Sequence, residues 1–179
     1  MATPLILALG GTRSGKSRFG LATTRRLAGE GRAWFLGTAW SGDLELDDRI
    51  RRHRLERPAD WPTVDVGRDL AASIASTVSA EPILVDGLTL WLSTLLGDDV
   101  PTIDPILDGP VAAAFAALAA RPGPAVIVSD EVGLGIVPMH PNARAYRDLV
   151  GITHQRLAAM ADEVFLFVAG LPVTLKGPR

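Results

Sequence analysis

The stretch LILALGGTRSGKS, residues 5–17, decides the fold. Residues 5–9 form an unbroken apolar run, the pattern of a strand buried on both faces. Next comes the spacing Gly10-x-x-x-x-Gly15-Lys16-Ser17, and then a helical periodicity over residues 17–29 that Gly29 and Gly31 end. Strand, glycine loop and helix in this order are the context in which that spacing denotes a phosphate-binding loop. The loop consists of Gly10, Gly11, Thr12, Arg13, Ser14, Gly15, Lys16 and Ser17. Its glycines permit a tight turn with inward-facing N–H groups, and the helix N-terminus adds positive potential. Lys16 is placed to reach the β- and γ-phosphates, and the Ser17 hydroxyl to bind Mg²⁺. The other basic residues, Lys176 apart, are all arginine, so a lysine inside this loop stands out.

Outward from the loop, apolar runs alternate with helical patterns. Strands are expected at residues 33–36, 61–66, 83–85, 125–128 and 164–168. Residues 173–175 are a hairpin candidate with the last of these. Helices are expected at 44–55, 68–78, 88–96, 111–120 and 143–160, and residues 97–110, rich in Asp and Pro, read as a surface loop. Continuous apolar strands separated by helices predict an α/β fold of the P-loop NTPase kind, a mostly parallel sheet flanked by helices. No repeat or linker divides residues 1–179, so a single domain is expected. Apolar residues make up 47% and charged residues 21%, and the net charge of −2 argues against a nucleic-acid partner held by overall charge. The absence of cysteine excludes disulfides and thiolate-bound metal and accords with a cytoplasmic protein. No apolar run approaches the ~18 residues of a membrane span.

Three further segments carry chemistry. Asp86 follows a buried strand, as do Asp130 and Glu131, so all three belong to the carboxyl edge of the sheet, where α/β folds bind ligands. Asp86 reads as a metal or nucleotide residue in preference to a helix N-cap, while for Asp130 and Glu131 the two roles are evenly matched. In DDRIRRHRLERPADW, residues 47–61, His53 stands among Arg49, Arg51, Arg52, Arg54 and Arg57. A solvated charged helix face accounts for such a run. The alternative is functional: the arginines would bind a triphosphate and keep the imidazole neutral, hence nucleophilic toward an α-phosphate.

GGTRSGKS (10–17), GTA (37–39), RIRRHRLERPADWPTVD (49–65), DGLTLWLSTLL (86–96), EVGLGIVP (131–138) and RAYRDLVGITHQRLAAMADEVFLFVAGLPVTLK (144–176) occur in order along nearly the whole chain. Together they resemble the bifunctional adenosylcobinamide kinase / adenosylcobinamide-phosphate guanylyltransferase family of the cobalamin pathway. The resemblance implies a RecA-like core, a cytoplasmic homotrimer and two reactions. ATP or GTP phosphorylates the aminopropanol hydroxyl of adenosylcobinamide; GMP then passes from GTP to adenosylcobinamide phosphate through a guanylylated histidine, here His53. It further implies nucleotide contacts at Thr38, Ala39, Arg54, Leu55, Glu56, Arg57, Asp65 and Asp86, with Mg²⁺ at Ser17 and Asp86. Residues 131–148 are the candidate corrinoid surface.

This chain departs from the family pattern at Asp65 (usually Glu), Gly87 (often Cys), Asp130 (usually Asn) and His154 (usually Asn). His154 is a second candidate nucleophile, but the preferred reading is a polar helix residue facing loop or solvent; His140 reads as a structural loop residue. The P-loop alone is also compatible with a small-molecule kinase that transfers no nucleotide, or with a non-catalytic nucleotide-binding switch; the His53 segment separates these from the leading reading.

Overall fold

The computed structural model describes residues 3–38, 59–97 and 102–177. The helix expected over 44–55 falls outside them. The described strands are β1 (Leu5–Gly10), β2 (Trp34–Gly37), β3 (Thr63–Asp65), β4 (Ile83–Asp86), β5 (Ala125–Asp130), β6 (Glu163–Val168) and β7 (Leu171–Lys176). The principal helices are α1 (Lys16–Ala28), α2 (Leu70–Ala75), α3 (Leu88–Leu95), α4 (Ala112–Ala119) and α5 (Pro141–Met160). The strands form one sheet in the order β3-β2-β4-β5-β1-β6-β7. All neighbours run parallel except β6 and β7, which pair as the expected C-terminal hairpin. The phosphate loop leaves β1 at mid-sheet, and β5 separates it from β4, the strand that ends in Asp86.

Both faces of the sheet are covered, which is why its central strands read as continuous apolar runs. Along β1, Ile6 and Ala8 face α1, where Phe35, Leu84, Val126, Val128 and Phe167 join them. Phe19 of α1 meets the rings of Phe165 and Phe167 there, with centroids 5.2 Å and 4.9 Å away. Leu7 and Leu9 face the opposite layer, built with Leu70, Leu88, Trp91, Leu92, Leu118, Leu149 and Leu157 of the other helices. Trp91 is fully buried, and its Nε1 donates to Arg68 O at 3.1 Å, so its indole is both packed and satisfied. Truncating a side chain of this kind costs about 3–5 kcal/mol.

Two local expectations are corrected. The 97–110 stretch is not loop throughout. A helical turn, Asp104–Ile106, leads through a π-helical segment, Leu107–Val111, into α4. Pro110 has no N–H to give the helix, and the wider π turn admits it. Arg156 of α5 donates to Leu107 O at 3.0 Å and ties this turn to the long helix. Second, α2 is shorter than the helix read over 68–78, because Asp69 caps it, its Oδ1 accepting from Ala72 N at 2.9 Å.

Candidate nucleotide site

The parallel register brings five strand ends to one edge of the sheet. Gly10 pairs with Asp130, while Gly37 lies between Asp65 on one side and Asp86 on the other. The phosphate loop closes over this edge. Gly15, the N-cap of α1, takes φ 97°, a left-handed conformation suited to glycine, so that the helix begins at Lys16. Gly10 is needed for close approach, since a Cβ there would lie 2.6 Å from Ser14 Oγ and 2.7 Å from Phe167 O. The Ser14 carbonyl accepts from Gly170 N at 3.0 Å, which anchors the loop to the β6–β7 turn.

Lys16 is only 5% exposed. Its Nζ donates to Gly11 O at 3.0 Å across the loop and lies 2.5 Å from Asp130 Oδ1. Ser17 Oγ donates to Asp86 Oδ1 at 3.2 Å. Asp86 is therefore turned toward the phosphate loop and does not cap α3, whose N-cap is Gly87. Thr38 donates from one hydroxyl to Asp86 O at 3.0 Å and Gly87 O at 2.5 Å, which joins the end of β2 to the turn after β4.

Hydroxyl and carboxylate oxygens beside a phosphate loop suit Mg²⁺, which takes few protein ligands and completes its shell with phosphate and water. The described residues hold no cluster of three metal-ligating His, Cys, Asp or Glu side chains.

Behind this edge lies a second, buried layer. Thr89 Oγ1 donates to Asp130 Oδ2 at 3.2 Å, and Tyr146 of α5 donates to Thr89 O at 2.9 Å. Burial, and then the Asp130 charge, push the Tyr146 phenol up to about 12, so it stays protonated and remains a donor. His154 corrects the sequence reading: it faces neither loop nor solvent and is 6% exposed. Its Nε2 lies 2.7 Å from Ser129 Oγ, and its Nδ1 lies 3.7 Å from Glu131 Oε2 without a hydrogen bond among the described residues. Burial lowers its pKa against the opposing pull of Glu131 and Asp130, so the imidazole is neutral. Packed in this way, it braces the end of β5 and is not placed as a nucleophile. His140 is the exposed N-cap residue of α5 and makes no side-chain cap.

The structure thus gathers Gly10, Gly11, Thr12, Arg13, Ser14, Gly15, Lys16, Ser17, Thr38, Asp65 and Asp86 at one edge. Ala39, His53, Arg54, Leu55, Glu56 and Arg57 lie outside the described residues. Sequence reading missed Thr89 and Tyr146. Both lie in segments that carry the family resemblance, Tyr146 within the candidate corrinoid stretch, but nothing in their spacing singled out either side chain. Asp130 did carry a signal, a carboxylate directly after a buried strand, but nothing local told it from its neighbour Glu131.

A glycine loop joining a buried central strand to a helix, with a lysine and a serine facing strand-end carboxylates, defines a P-loop nucleotide-binding protein. Comparison with known proteins narrows the class. The sequence model of the family described as cobinamide kinase / cobinamide phosphate guanyltransferase matches residues 6–175, and this chain belongs to that family. The bifunctional adenosylcobalamin biosynthesis protein CobP of Pseudomonas aeruginosa is 44% identical over 174 residues, with 96% of each chain covered. The bifunctional adenosylcobalamin biosynthesis protein CobU of Salmonella typhimurium is 36% identical, with 96% of this chain and 99% of that one covered. Among solved structures, the flagellar accessory protein FlaH of Methanocaldococcus jannaschii is 13% identical, covers 98% of this chain and 79% of its own, and has a TM-score of 0.49. The fold assignment rests on the sheet order and the loop.

Proposed function

We propose that this chain catalyses both reactions in its family's description. A nucleoside triphosphate first phosphorylates the hydroxyl of adenosylcobinamide, and GMP is then transferred from GTP to adenosylcobinamide phosphate. The observation that carries the reading is the buried Lys16 at the mouth of the phosphate loop, beside the Ser17–Asp86 pair, in a chain matched to the family over residues 6–175. In the kinase step the loop N–H groups and Lys16 hold the phosphates. The substrate hydroxyl oxygen bonds to the γ-phosphorus as the bond to the β–γ bridging oxygen breaks, and the hydroxyl proton passes to solvent. Ser17 and Asp86 would hold Mg²⁺, which supplies charge neutralisation on the β- and γ-phosphates when bound.

For the second reaction we assign His53 as nucleophile. Its neutral imidazole attacks the α-phosphorus of GTP, the bond to the β-phosphate oxygen breaks and pyrophosphate leaves. A phosphate oxygen of the cobinamide then attacks the same phosphorus and releases the imidazole. Arg54 and Arg57 balance the triphosphate charge, and Ala39, Leu55, Glu56, Thr38 and Asp65 complete the nucleotide contacts. The corrinoid is assigned to the segment after β5. There Leu134, Ile136, Val137 and Met139 are exposed, an apolar surface suited to a large amphipathic substrate. The same reading carries a cytoplasmic homotrimer.

The test is covalent. Incubation with α-phosphate-labelled GTP and Mg²⁺ is expected to label the protein through an acid-labile, base-stable bond. His53→Ala is expected to abolish that label. Label that survives the substitution removes His53 from the mechanism.

A further inference from the structure

The closest polar contact of Lys16 is not with the loop but with Asp130. Nζ and Oδ1 are 2.5 Å apart, with the side chains 7% and 25% exposed. The P-loop lysine exists to meet the terminal phosphates of a nucleotide. Here it is already engaged by a protein carboxylate, an anion with the same two-oxygen recognition face. The two cannot share the lysine without cost, because a carboxylate left against a γ-phosphate repels it in a partly desolvated site.

Asp130 also has a second partner. Its other oxygen, Oδ2, accepts from Thr89 Oγ1 at 3.2 Å, and Thr89 is steadied through the Tyr146 hydroxyl on its carbonyl, 2.9 Å away. The carboxylate can therefore give up Lys16 and keep a donor.

We propose that Asp130 sets the nucleotide affinity of this chain: it competes for Lys16 with the terminal phosphates of an incoming triphosphate, which bind by displacing it onto Thr89. This rests on the reading of Lys16 as a triphosphate ligand. Its consequence has an unusual sign, since removing an acidic residue from the heart of the site improves binding. The same contact favours departure of the spent nucleotide, because Asp130 reclaims the lysine. Phosphate contacts that do not involve Lys16 are indifferent to it, and a nucleoside monophosphate, too short to reach the lysine, does not compete with Asp130.

The experiment is calorimetric titration of the intact protein with Mg²⁺ and the non-hydrolysable β,γ-imido analogue of GTP, and separately with GMP. Wild type, Asp130→Asn and Asp130→Ser are compared, each with its melting temperature recorded. Both variants are expected to bind the triphosphate analogue about fivefold tighter, the upper end of the scale for one partly exposed ion pair. GMP affinity is expected to stay within about twofold. Variants that bind the analogue no tighter than wild type overturn the proposal. So does an equal gain for GMP, which would mean that only the general negative field had been relieved. Wild type and variants that all fail to bind the analogue would instead remove the P-loop reading itself, and the inference with it.

Discussion

His154 couples the end of β5 to acidity, and the size of the effect follows from its surroundings. The imidazole is almost wholly buried, lies 2.7 Å from the Ser129 hydroxyl oxygen at Nε2 and turns Nδ1 toward Glu131. Burial is the largest influence on its pKa and lowers it; the attraction of Glu131 and Asp130 works the other way and does not prevail. In the unfolded chain this histidine titrates near about 6.5. Below that pH the unfolded chain takes up a proton that the folded chain refuses, so stability is fully present above about 6.5 and is lost as pH falls through the lowered folded value. Within that window one proton corresponds to about 1.36 kcal/mol per pH unit. For a chain of this size that is about 3–5 °C of melting temperature per unit. The assay is urea or thermal unfolding of wild type and His154→Asn at pH 7.5, 6.5 and 5.5. The substitution adds a constant penalty of about 1–3 kcal/mol from the lost Ser129 partner. The difference in slope is the readout, because every other titrating group contributes to both proteins. Wild type is expected to lose stability faster on acidification. Parallel profiles would refute the reasoning. A wild type that gains on acidification relative to the variant would show that the Glu131 attraction outweighs burial.

Two other substitutions probe the loop and the scaffold. Gly10→Ala places a methyl group 2.6 Å from Ser14 Oγ and 2.7 Å from the Phe167 carbonyl, and backbone does not yield to it. A loss of about 1–3 kcal/mol in urea unfolding is expected, together with weaker triphosphate binding in a titration; an unchanged loop affinity would mean that the close packing seen at Gly10 does not hold the loop in shape. Asp69→Ala removes the side-chain cap on Ala72 N and should cost about 1 kcal/mol of stability, read as a melting temperature about 2–4 °C lower, while Asp69→Asn keeps most of it.

Much of this protein was legible along the chain because the decisive features are contiguous. The phosphate loop needs a strand, a glycine turn and a helix N-terminus within thirteen residues, and the stretch from Leu5 to Ser17 supplies all three. The hairpin at β6 and β7 is local too, since Ala169 and Gly170 turn the chain with positive φ between adjacent strands. The place of Asp86 at the carboxyl edge was legible because a carboxylate directly after a buried strand reaches that edge whatever the strand order. Where local signals conflicted, the reading went astray. Pro and Asp in 97–110 suggested loop, yet the π turn at Leu107–Val111 accommodates Pro110 inside a helix.

The sequence by itself thus determined the class of fold, the identity of the phosphate loop and the carboxylates available to it. Only the tertiary structure decided how they are paired. Lys16 meets Asp130 because β5 is inserted between β1 and β4, and Ser129 meets His154 because α5 packs behind that strand. Strand order joins Lys16 to a residue more than a hundred positions away, and no periodicity or spacing along the chain encodes either contact. For the same reason His154 looked like a surface residue. Its helix carries polar and apolar residues in a pattern that marks one face as buried, but burial of a histidine on that face depends on Ser129 and Glu131 being brought against it by the sheet.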